Sequence, residues 1–384
     1  MNRKFSGNLV RLLPLFALLV FLRMPLYAHV QGDVHYGTAD STAFSHKIPE
    51  PGEDKFKPGE MIVEHVVDSY EWHILEIGHF HLTIPLPVLL FHEGKFHAFL
   101  SNRFHNETRS WEGFTIAREG ANKGKIITVA EARTGKEGSR IFDVSITKTV
   151  LAIFISGFLL IMIFVSVARR YTRNPNTAPT GLQNLLEPLI IFIRDDVAKS
   201  SIGVKNYEKY LPYLLTIFFF IFFNNLLGIV PFFPGGANVT GNIAVTGVMA
   251  VFTFIITTFS ANRHYWIDII NTPGVPWWLK LPLPLMPIVE LMGVITKPFV
   301  LMVRLFANMT AGHIIILGFI SIIFIFGQMS TGLGIGVGIP TVLFMIFMDL
   351  LELLVAFIQA YVFTLLSALY FGLALAEPEH HAEV

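Results

Sequence analysis

The sequence predicts an all-α polytopic membrane protein with a small β-containing domain ahead of its first membrane span. Of the 384 residues 53% are hydrophobic and only 15% are charged. The mean hydropathy is +0.58, and from about residue 141 long apolar runs alternate with short polar loops. Such sparse charge and high hydropathy are typical of integral membrane proteins. The formal net charge of zero gives no indication of a nucleic-acid partner. The absence of cysteine excludes disulfides and Cys-ligated metal sites.

The first 28 residues have the pattern of a secretory signal peptide. A basic leader precedes an apolar core at 12–22, and the small residue Ala28 stands before polar sequence. We expect cleavage near Ala28. An uncleaved membrane anchor is the alternative, because Arg23 directly follows the core.

Residues 29–140 are predicted to form a soluble domain, because they are polar, contain many glycines and hold ten of the 14 histidines. The stretch "HFHLTIPLPVLLFHEGKFHAFLS" predicts two apolar strands joined at His92–Lys95 as a β-hairpin. The stretch "EHVVDSYEWHILEIGHFH" offers a candidate metal site, against which stand solvated or packed histidines, since the spacing matches no familiar ligand pattern. Its candidate ligands are His65, Asp68, His73, His79 and His81.

The membrane domain, residues 141–384, begins with three predicted spans at about 149–167, 211–230 and 243–260. Arg169, Arg170 and Arg173 follow the first span and place its far end in the cytoplasm, with the soluble domain outside. The stretch "GLQNLLEPLIIFIRDDVAKSS" is too short and too charged to cross, so it predicts an interfacial helix. The loop "PFFPGGANVTGN" between the second and third spans carries polar candidates for a water path: Asn238, Thr240 and Asn242.

Two overlong apolar segments follow and predict an oblique helical hairpin. Residues 287–326 would form a helix about 60 Å long, against a hydrocarbon core of ~30 Å, so the helix kinks at Pro298 or lies tilted. The glycine-rich stretch "GQMSTGLGIGVGIP" predicts the turn, and residues 341–374 predict the last helix.

Six ionisable side chains lie inside this hairpin: Glu290, Lys297, Arg304, His313, Asp349 and Glu352. Ionisable side chains inside a membrane are costly and usually mark ion pathways or proton relays. At about 100° per residue, Asn308 and Glu290 share a face with Arg304, whereas His313 lies on the opposite face. On the last helix Gln359 lies about 20° from Glu352, and Asp349 about 60° from it.

The residue pattern leaves alternatives open. Arg304 can be a structural cation paired with Asp349 or Glu352, and Glu290 can be an ordinary interfacial charge. His313 can be a satisfied core histidine or the partner of Glu352. The second pairing joins groups that titrate on either side of neutrality and can exchange a proton.

With these residues in place, the chain from about Ile141 to its end resembles subunit a of the F-type ATP synthase membrane sector. The most specific match is "KPFVLMVRLFANMTAGH", and "FNNLLGIVPF", "ANVTGNIA" and "ELLVAFIQAYVF" match other family signatures in the expected order. Four ordered matches make chance agreement very small. The resemblance covers little of residues 29–140.

The resemblance implies a proton-conducting stator subunit with two offset half-channels and no catalytic site or cofactor of its own. Arg304 corresponds to the essential arginine that faces the rotor ring of c subunits. Asn308 and Gln359 match its polar neighbours, Glu290 the carboxylate of the cytoplasmic exit, and Asp143 an acidic residue found before the first span in some members. His313 and Glu352 match the proton-relay pair of the outer half-channel, with acid and histidine exchanged between the two helices relative to some members.

The implied partners are the c-subunit ring, the b-subunit peripheral stalk, the rest of the ATP synthase and the lipid bilayer, without nucleic acid. The implied location is the bacterial plasma membrane, with the N-terminal domain periplasmic and the C-terminus cytoplasmic. A sodium-translocating version is one alternative. A free-standing secondary transporter is another, although the internal repeats with broken helices that mark such proteins are not evident in the sequence.

Overall fold

The structure is a computed structural model that describes residues 66–376 except 78–79, 105–109, 118–121, 136–139, 174–177, 231–232 and 271–284; before residue 66 it describes only 58, 59 and 62. The side chains of residues 73–82 are not described either. The predicted signal peptide therefore lies outside the described residues.

A β-region, which we define as residues 68–147, holds seven short strands: β1 (Glu71–Ile77), β2 (Phe80–Pro85), β3 (Pro87–His92), β4 (Lys95–Leu100), β5 (Phe114–Ile116), β6 (Ile126–Thr128) and β7 (Phe142–Asp143). Antiparallel pairs form between β1 and β2 and between β5 and β6, and β3 lies between β4 and β7. The predicted hairpin is confirmed, because β3 and β4 pair from Pro87↔Leu100 to His92↔Lys95. Its turn needs Gly94, which has a φ of 76°.

Helices make up the rest of the described chain. Helix α1 (Val129–Thr134) belongs to the β-region and precedes α2 (Lys148–Arg173). Helix α3 (Leu182–Phe192) continues through a π-helical turn (Ile193–Lys199) into α4 (Ser200–Ile202). The remaining helices are α5 (Tyr207–Ile229), α6 (Ile243–Ser260), α7 (Arg263–Ile270), α8 (Leu285–Met329) and α9 (Thr331–Leu375). Five of the described helices, α2, α5, α6, α8 and α9, are long and apolar enough to cross a membrane. The prediction of a polytopic helical membrane protein is confirmed.

The segment from α3 to α4, predicted to be an interfacial helix, is not one of these spans. Its residues Ile193, Val197 and Ala198 are fully buried in the membrane core. The π-helical turn packs against α5 and α9. The segment is therefore too short to span and is also held against the helix bundle.

The turn between the two long helices falls inside the predicted glycine-rich stretch but is much shorter than predicted, because only Ser330 of that stretch lies outside both helices. Helix α8 ends at Met329, Ser330 caps the next helix by accepting a hydrogen bond from Leu333 N at 3.3 Å, and α9 begins at Thr331. Glycine is a turn signal in water, but backbone groups in an apolar surrounding must be satisfied within the helix. The small residues instead allow close packing, since a Cβ on Gly334 would lie 2.8 Å from Gly327 Cα.

Helix α8 runs unbroken through Pro298 over 45 residues. At 1.5 Å per residue this is about 68 Å, more than twice a hydrocarbon core of ~30 Å. The helix is therefore not interrupted at Pro298, and its length excludes an upright course within the hydrocarbon core.

One hydrophobic core joins α2, α5, α6, α8, α9 and the π-helical turn. Leu214, Phe218 and Ile221 of α5 and Ala360 and Phe371 of α9 are fully buried within it. Trp72 of β1 is 3% exposed and belongs to the same core, and its ring meets Phe233 edge-on at 5.2 Å between centroids. The β-region is therefore packed directly onto the membrane helices.

Candidate functional site

Arg304 lies on an exposed face of α8 together with Asn308. The opposite face of this stretch packs into the core through Leu301, Leu305 and Met309, each 1% exposed. Within the described part of the chain Arg304 forms no hydrogen bond and no salt bridge. The structural pairing of Arg304 with Asp349 or Glu352 is therefore not formed, and its charge faces outward from the helix bundle.

His313 and Glu352 meet on the other side of α8. His313 Nδ1 lies 3.3 Å from Glu352 Oε1, and the two side chains are 16% and 5% exposed. Two glycines make the room: a Cβ on Gly312 would lie 2.9 Å from Glu352 Oε1, and one on Gly228 would lie 3.5 Å from His313 Nε2. The pairing is thus built by backbone approach as well as by the two side chains.

The carboxylate of Glu352 is buried, and neither of its oxygens has a hydrogen-bond partner among the described residues. The 3.3 Å approach to His313 is therefore a close contact whose geometry does not make a hydrogen bond. A buried carboxylate without such partners is expensive unless water or a bound proton satisfies it. Both ways of satisfying it suit a residue that exchanges protons.

A buried polar cluster lies one helical turn from Glu352. Asn225 of α5 donates through Nδ2 to the Ala356 carbonyl at 3.4 Å and accepts a hydrogen bond from Thr240 Oγ1 at 2.5 Å. Asn238 is buried, and its Nδ2 has no partner in the part of the chain that is described. Of the three loop residues predicted to line a water path, Asn238 and Thr240 lie in this cluster. Asn242 instead caps α6, where its Oδ1 accepts from Ala244 N at 3.0 Å.

The other polar residues of α9 differ in burial. Gln359 is 4% exposed on the face that carries Glu352, whereas Asp349 is exposed. Asp349 lines an apolar groove of about 550 Å³ between α5 and α9, where its neighbours include Leu226 and Ile346. Its charge still acts on Glu352. Gln359 makes no hydrogen bond to Arg304 or Asn308 in the described structure.

Glu290 lies near the start of α8, half-buried, and acts electrostatically on Tyr265 of α7. Burial, assisted by this negative charge, raises the pKa of the Tyr265 hydroxyl. A small cavity of about 20 Å³ lies beside Tyr265, with Lys297 and Tyr370 in its wall. The ammonium of Lys297 lies 5.6 Å from the Tyr370 ring centroid. Polar groups therefore accompany Glu290 at the end of the bundle opposite His313.

Asp143 lies outside the spans, at the edge of the β-region. It is exposed, and its carboxylate accepts hydrogen bonds from Tyr70 Oη at 2.5 Å and Ser145 N at 2.8 Å. The structure does not bring it next to His313 or Glu352.

The sequence interpretation missed Lys148, in the first turn of α2. Asp68 and Lys148 interact electrostatically, and Lys148 is in turn one of the charges that act on His313. A lysine at the start of a span looks like an ordinary interfacial anchor. No local pattern links it to a histidine 165 positions further along the chain.

The candidate metal ligands have two different outcomes. The side chains of His65, His73, His79 and His81 lie outside what is described. Asp68 is described, and both of its carboxylate oxygens accept hydrogen bonds at the start of α2. Among described residues no group of three histidine, aspartate or glutamate side chains could hold a metal ion.

Together, the fold and these ionisable residues define a multi-pass membrane protein of the ion-transport class. The family model described as "ATP synthase A chain" matches residues 150–372. This match covers more than half of the chain, which therefore belongs to the ATP synthase subunit a family and is a membrane-sector subunit of an F-type ATP synthase. A second model, described as a domain of unknown function (DUF8433), matches residues 61–144 and thus most of the β-region.

Known relatives agree with this assignment. The chain is 45% identical over 249 residues to "ATP synthase subunit a" of Chloroherpeton thalassium, an alignment that covers 63% of this chain and 70% of the relative. It is 48% identical over 246 residues to "ATP synthase subunit a 2" of Prosthecochloris aestuarii, with 63% and 72% covered. A similar protein of the same description from Chlorobaculum tepidum is 49% identical over 244 residues, with 62% and 66% covered.

Proposed function

We propose that this subunit conducts protons through two offset half-channels and presents Arg304 to the carboxylates of a rotating c-subunit ring. The observation that carries the proposal is the division of α8 into two polar faces. One face exposes Arg304 without a salt-bridge partner among the described residues, and the other buries His313 against Glu352 at 3.3 Å. Such a cation is costly in a bilayer unless a partner supplies the opposite charge.

The outer half-channel leads to the pair His313 and Glu352. A proton arriving from the outer solution is taken up by this pair and passed to a ring carboxylate. The buried polar cluster around Asn225, Asn238 and Thr240 supports this route, because it offers hydrogen-bonding groups beside Glu352. Asp349 and Asp143 extend the polar path towards the outer solution, Asp349 from its groove and Asp143 from the β-region.

The inner half-channel leads from the ring to the cytoplasm along Glu290, with Asn308 and Gln359 as polar neighbours of the path. When a neutral ring carboxylic acid completes its passage through lipid, Arg304 favours its ionised form because an opposite charge stabilises the carboxylate. The released proton leaves past Glu290, while Arg304 blocks direct leakage between the half-channels. Each charge that crosses 100 mV contributes about 2.3 kcal/mol, and the rotor sums several such steps.

The transported ion in this proposal is the proton. His313 supports this choice, because an imidazole paired with a carboxylate exchanges protons near neutrality and offers no advantage for sodium. A secondary transporter would be expected to contain broken helices in repeated halves. The five candidate spans in the described residues are continuous helices.

The proposed setting is a bacterial plasma membrane. The β-region lies on the periplasmic side after removal of residues 1–28, and the C-terminus lies in the cytoplasm. Arg169, Arg170 and Arg173 at the end of α2 support this orientation. Besides the c ring, the b-subunit peripheral stalk is the proposed partner that holds this subunit stationary.

The decisive test replaces Arg304 and measures ATP synthesis driven by a proton gradient in vesicles that contain the assembled complex. Arg304→Ala should reduce coupled synthesis to background, because it removes the positive charge presented to the ring carboxylates. Arg304→Lys should keep the charge but lose the planar, multi-donor geometry, and should retain only part of the rate. Arg263→Ala, which removes an exposed arginine outside the spans, is the matched control and should synthesise normally. Retained synthesis in Arg304→Ala would contradict the proposal. Synthesis that survives a protonophore but not sodium removal would favour sodium.

A further inference from the structure

The β-region is hydrogen-bonded to the first turn of α2 through Asp68. Asp68 Oδ1 accepts a hydrogen bond from Thr149 N at 3.0 Å, and Oδ2 accepts one from Thr147 Oγ1 at 2.7 Å. The carbonyl of Ser69 accepts a further hydrogen bond from Lys148 N at 2.8 Å. Helix starts leave backbone N–H groups unsatisfied, and a carboxylate is a preferred cap. Here the cap comes from a residue 81 positions earlier in the chain.

The same carboxylate begins a series of charges that reaches the proton-relay pair. Asp68 acts electrostatically on the Lys148 ammonium, and Lys148 acts on His313. The imidazole of His313 lies 3.3 Å from the Glu352 carboxylate. The β-region thus contributes a charge that acts on Lys148, the residue that in turn acts on His313.

A second contact joins the β-region to the loop between α5 and α6. Trp72 packs edge-on against Phe233, in the segment that leads to Asn238 and Thr240. Thr240 in turn donates to Asn225, next to the turn of α9 that carries Glu352. The β-region therefore contacts both the first turn of α2 and the loop that carries Asn238 and Thr240.

We propose that the β-region is an accessory part of the proton path, in which Asp68 is a positioning residue. It holds Lys148 in place and offsets its charge, and thereby sets how readily the His313–Glu352 pair takes up a proton from the solution on the β-region's side. This inference rests on the proposed half-channel function. It gives the segment matched by the domain of unknown function a role in ion uptake.

The sign of the effect follows from the charges around His313. Among described residues these are Glu352 from α9, with Asp349 acting on it, and Lys148 from α2; the nearby Asn225 of α5 is neutral. Removing the Asp68 charge leaves Lys148 less compensated. A more positive surrounding disfavours the imidazolium, so proton uptake should require a lower pH.

The experiment measures ATP synthesis by the complete complex in liposomes at fixed membrane potential and fixed internal pH, while the pH on the β-region's side is varied. Asp68→Asn should move the midpoint of the pH profile to lower pH, because the Lys148 charge is then less compensated. Lys148→Met should move it to higher pH. The combination Asp68→Asn with Lys148→Met should return it close to the wild-type value, because both charges are then gone.

Two controls separate charge from structure. Thr147→Val removes the hydrogen bond from Thr147 to Asp68 without changing any charge. It should therefore leave the midpoint of the pH profile in place, even where it lowers the amount of assembled complex. Glu112→Gln removes an exposed carboxylate that pairs with His97 elsewhere in the β-region, and it should have no effect.

An unchanged midpoint in Asp68→Asn would overturn the inference. So would equal losses of rate in Asp68→Asn and Thr147→Val without any shift, because Asp68 would then only hold the fold. Failure of the proposed function shows itself elsewhere, as retained synthesis in Arg304→Ala. The two failures are therefore distinguishable.

Discussion

At the scale of single residues, the approach of His313 to Glu352 depends on a glycine as much as on the two side chains. Glu352 is 6% exposed and approaches the backbone of α8 at Gly312, where no Cβ intervenes. Any larger residue would have to displace the carboxylate from His313. The spacing of the pair is therefore set by packing density rather than by attraction alone.

Gly312→Ala tests this dependence. The added methyl would lie 2.9 Å from Glu352 Oε1, closer than van der Waals contact allows. We expect ATP synthesis in vesicles to fall by about tenfold, which corresponds to about 1.4 kcal/mol, within the usual cost of overpacking. Gly318→Ala is the matched control, since a Cβ at Gly318 meets nothing within 4 Å. Equal rates for the two variants would show that the carboxylate moves at no cost.

Helical phase alone separated Arg304 from His313 and put Glu352 and Gln359 on one face, and the structure has these residues where the phase puts them. It failed to find Asp68 and Lys148 as neighbours of the site. Their approach joins a strand-rich segment to a distant span, and a period of 3.6 residues carries no information about that contact.

At the scale of elements, small residues decide where helices meet. The sequence predicted most span positions well, because an apolar run of sufficient length has no other stable form in a bilayer. It made the hairpin turn too long, because glycines at 332, 334, 336 and 338 look the same whether they bend a chain or admit a neighbouring helix. The two cases can be told apart only when the surface that packs against the glycines is known.

Gly372 shows the second use and provides a prediction. A Cβ at this position of α9 would lie 2.0 Å from the Ser201 carbonyl oxygen, in the segment that follows the π-helical turn. Gly372→Ala should therefore lower the free energy of unfolding by about 1–3 kcal/mol, as overpacking does, despite the gain in helix propensity. Thermal unfolding in detergent measures this.

Gly336→Ala is the control for Gly372→Ala, because a Cβ at Gly336 meets nothing within 4 Å. It should be neutral or slightly stabilising, since alanine favours the helix by about 0.5–1 kcal/mol. A Gly372→Ala protein as stable as Gly336→Ala would mean that α9 and the Ser200–Ile202 turn separate readily.

At the scale of the whole molecule, the β-region and the membrane helices share one core. Trp72 lies in the same cluster as Phe218 and Phe371, and Ile84 packs against it. Strand pairs this short are weak by themselves, so docking on the helices is a large part of what stabilises them. The second cluster, around Val88, Leu90 and Phe114, supports the strands farther from Trp72.

Trp72→Ala should therefore loosen the β-region from the helices while the helices stay folded. Truncation of a buried tryptophan costs about 3–5 kcal/mol, and here the loss includes the edge-on contact with Phe233. Hydrogen exchange of the β1–β2 backbone should accelerate, with protection in α5 and α9 unchanged. Trp111→Ala is the control. Trp111 is 37% exposed, and the Arg103 guanidinium carbon lies over its ring at 4.6 Å from the centroid, so the substitution should cost about 1 kcal/mol or less. If Trp72→Ala left exchange of β1 and β2 unchanged, the β-region would be stable without the shared core, and its contact with α2 would rest on the hydrogen bonds of Asp68 and Ser69.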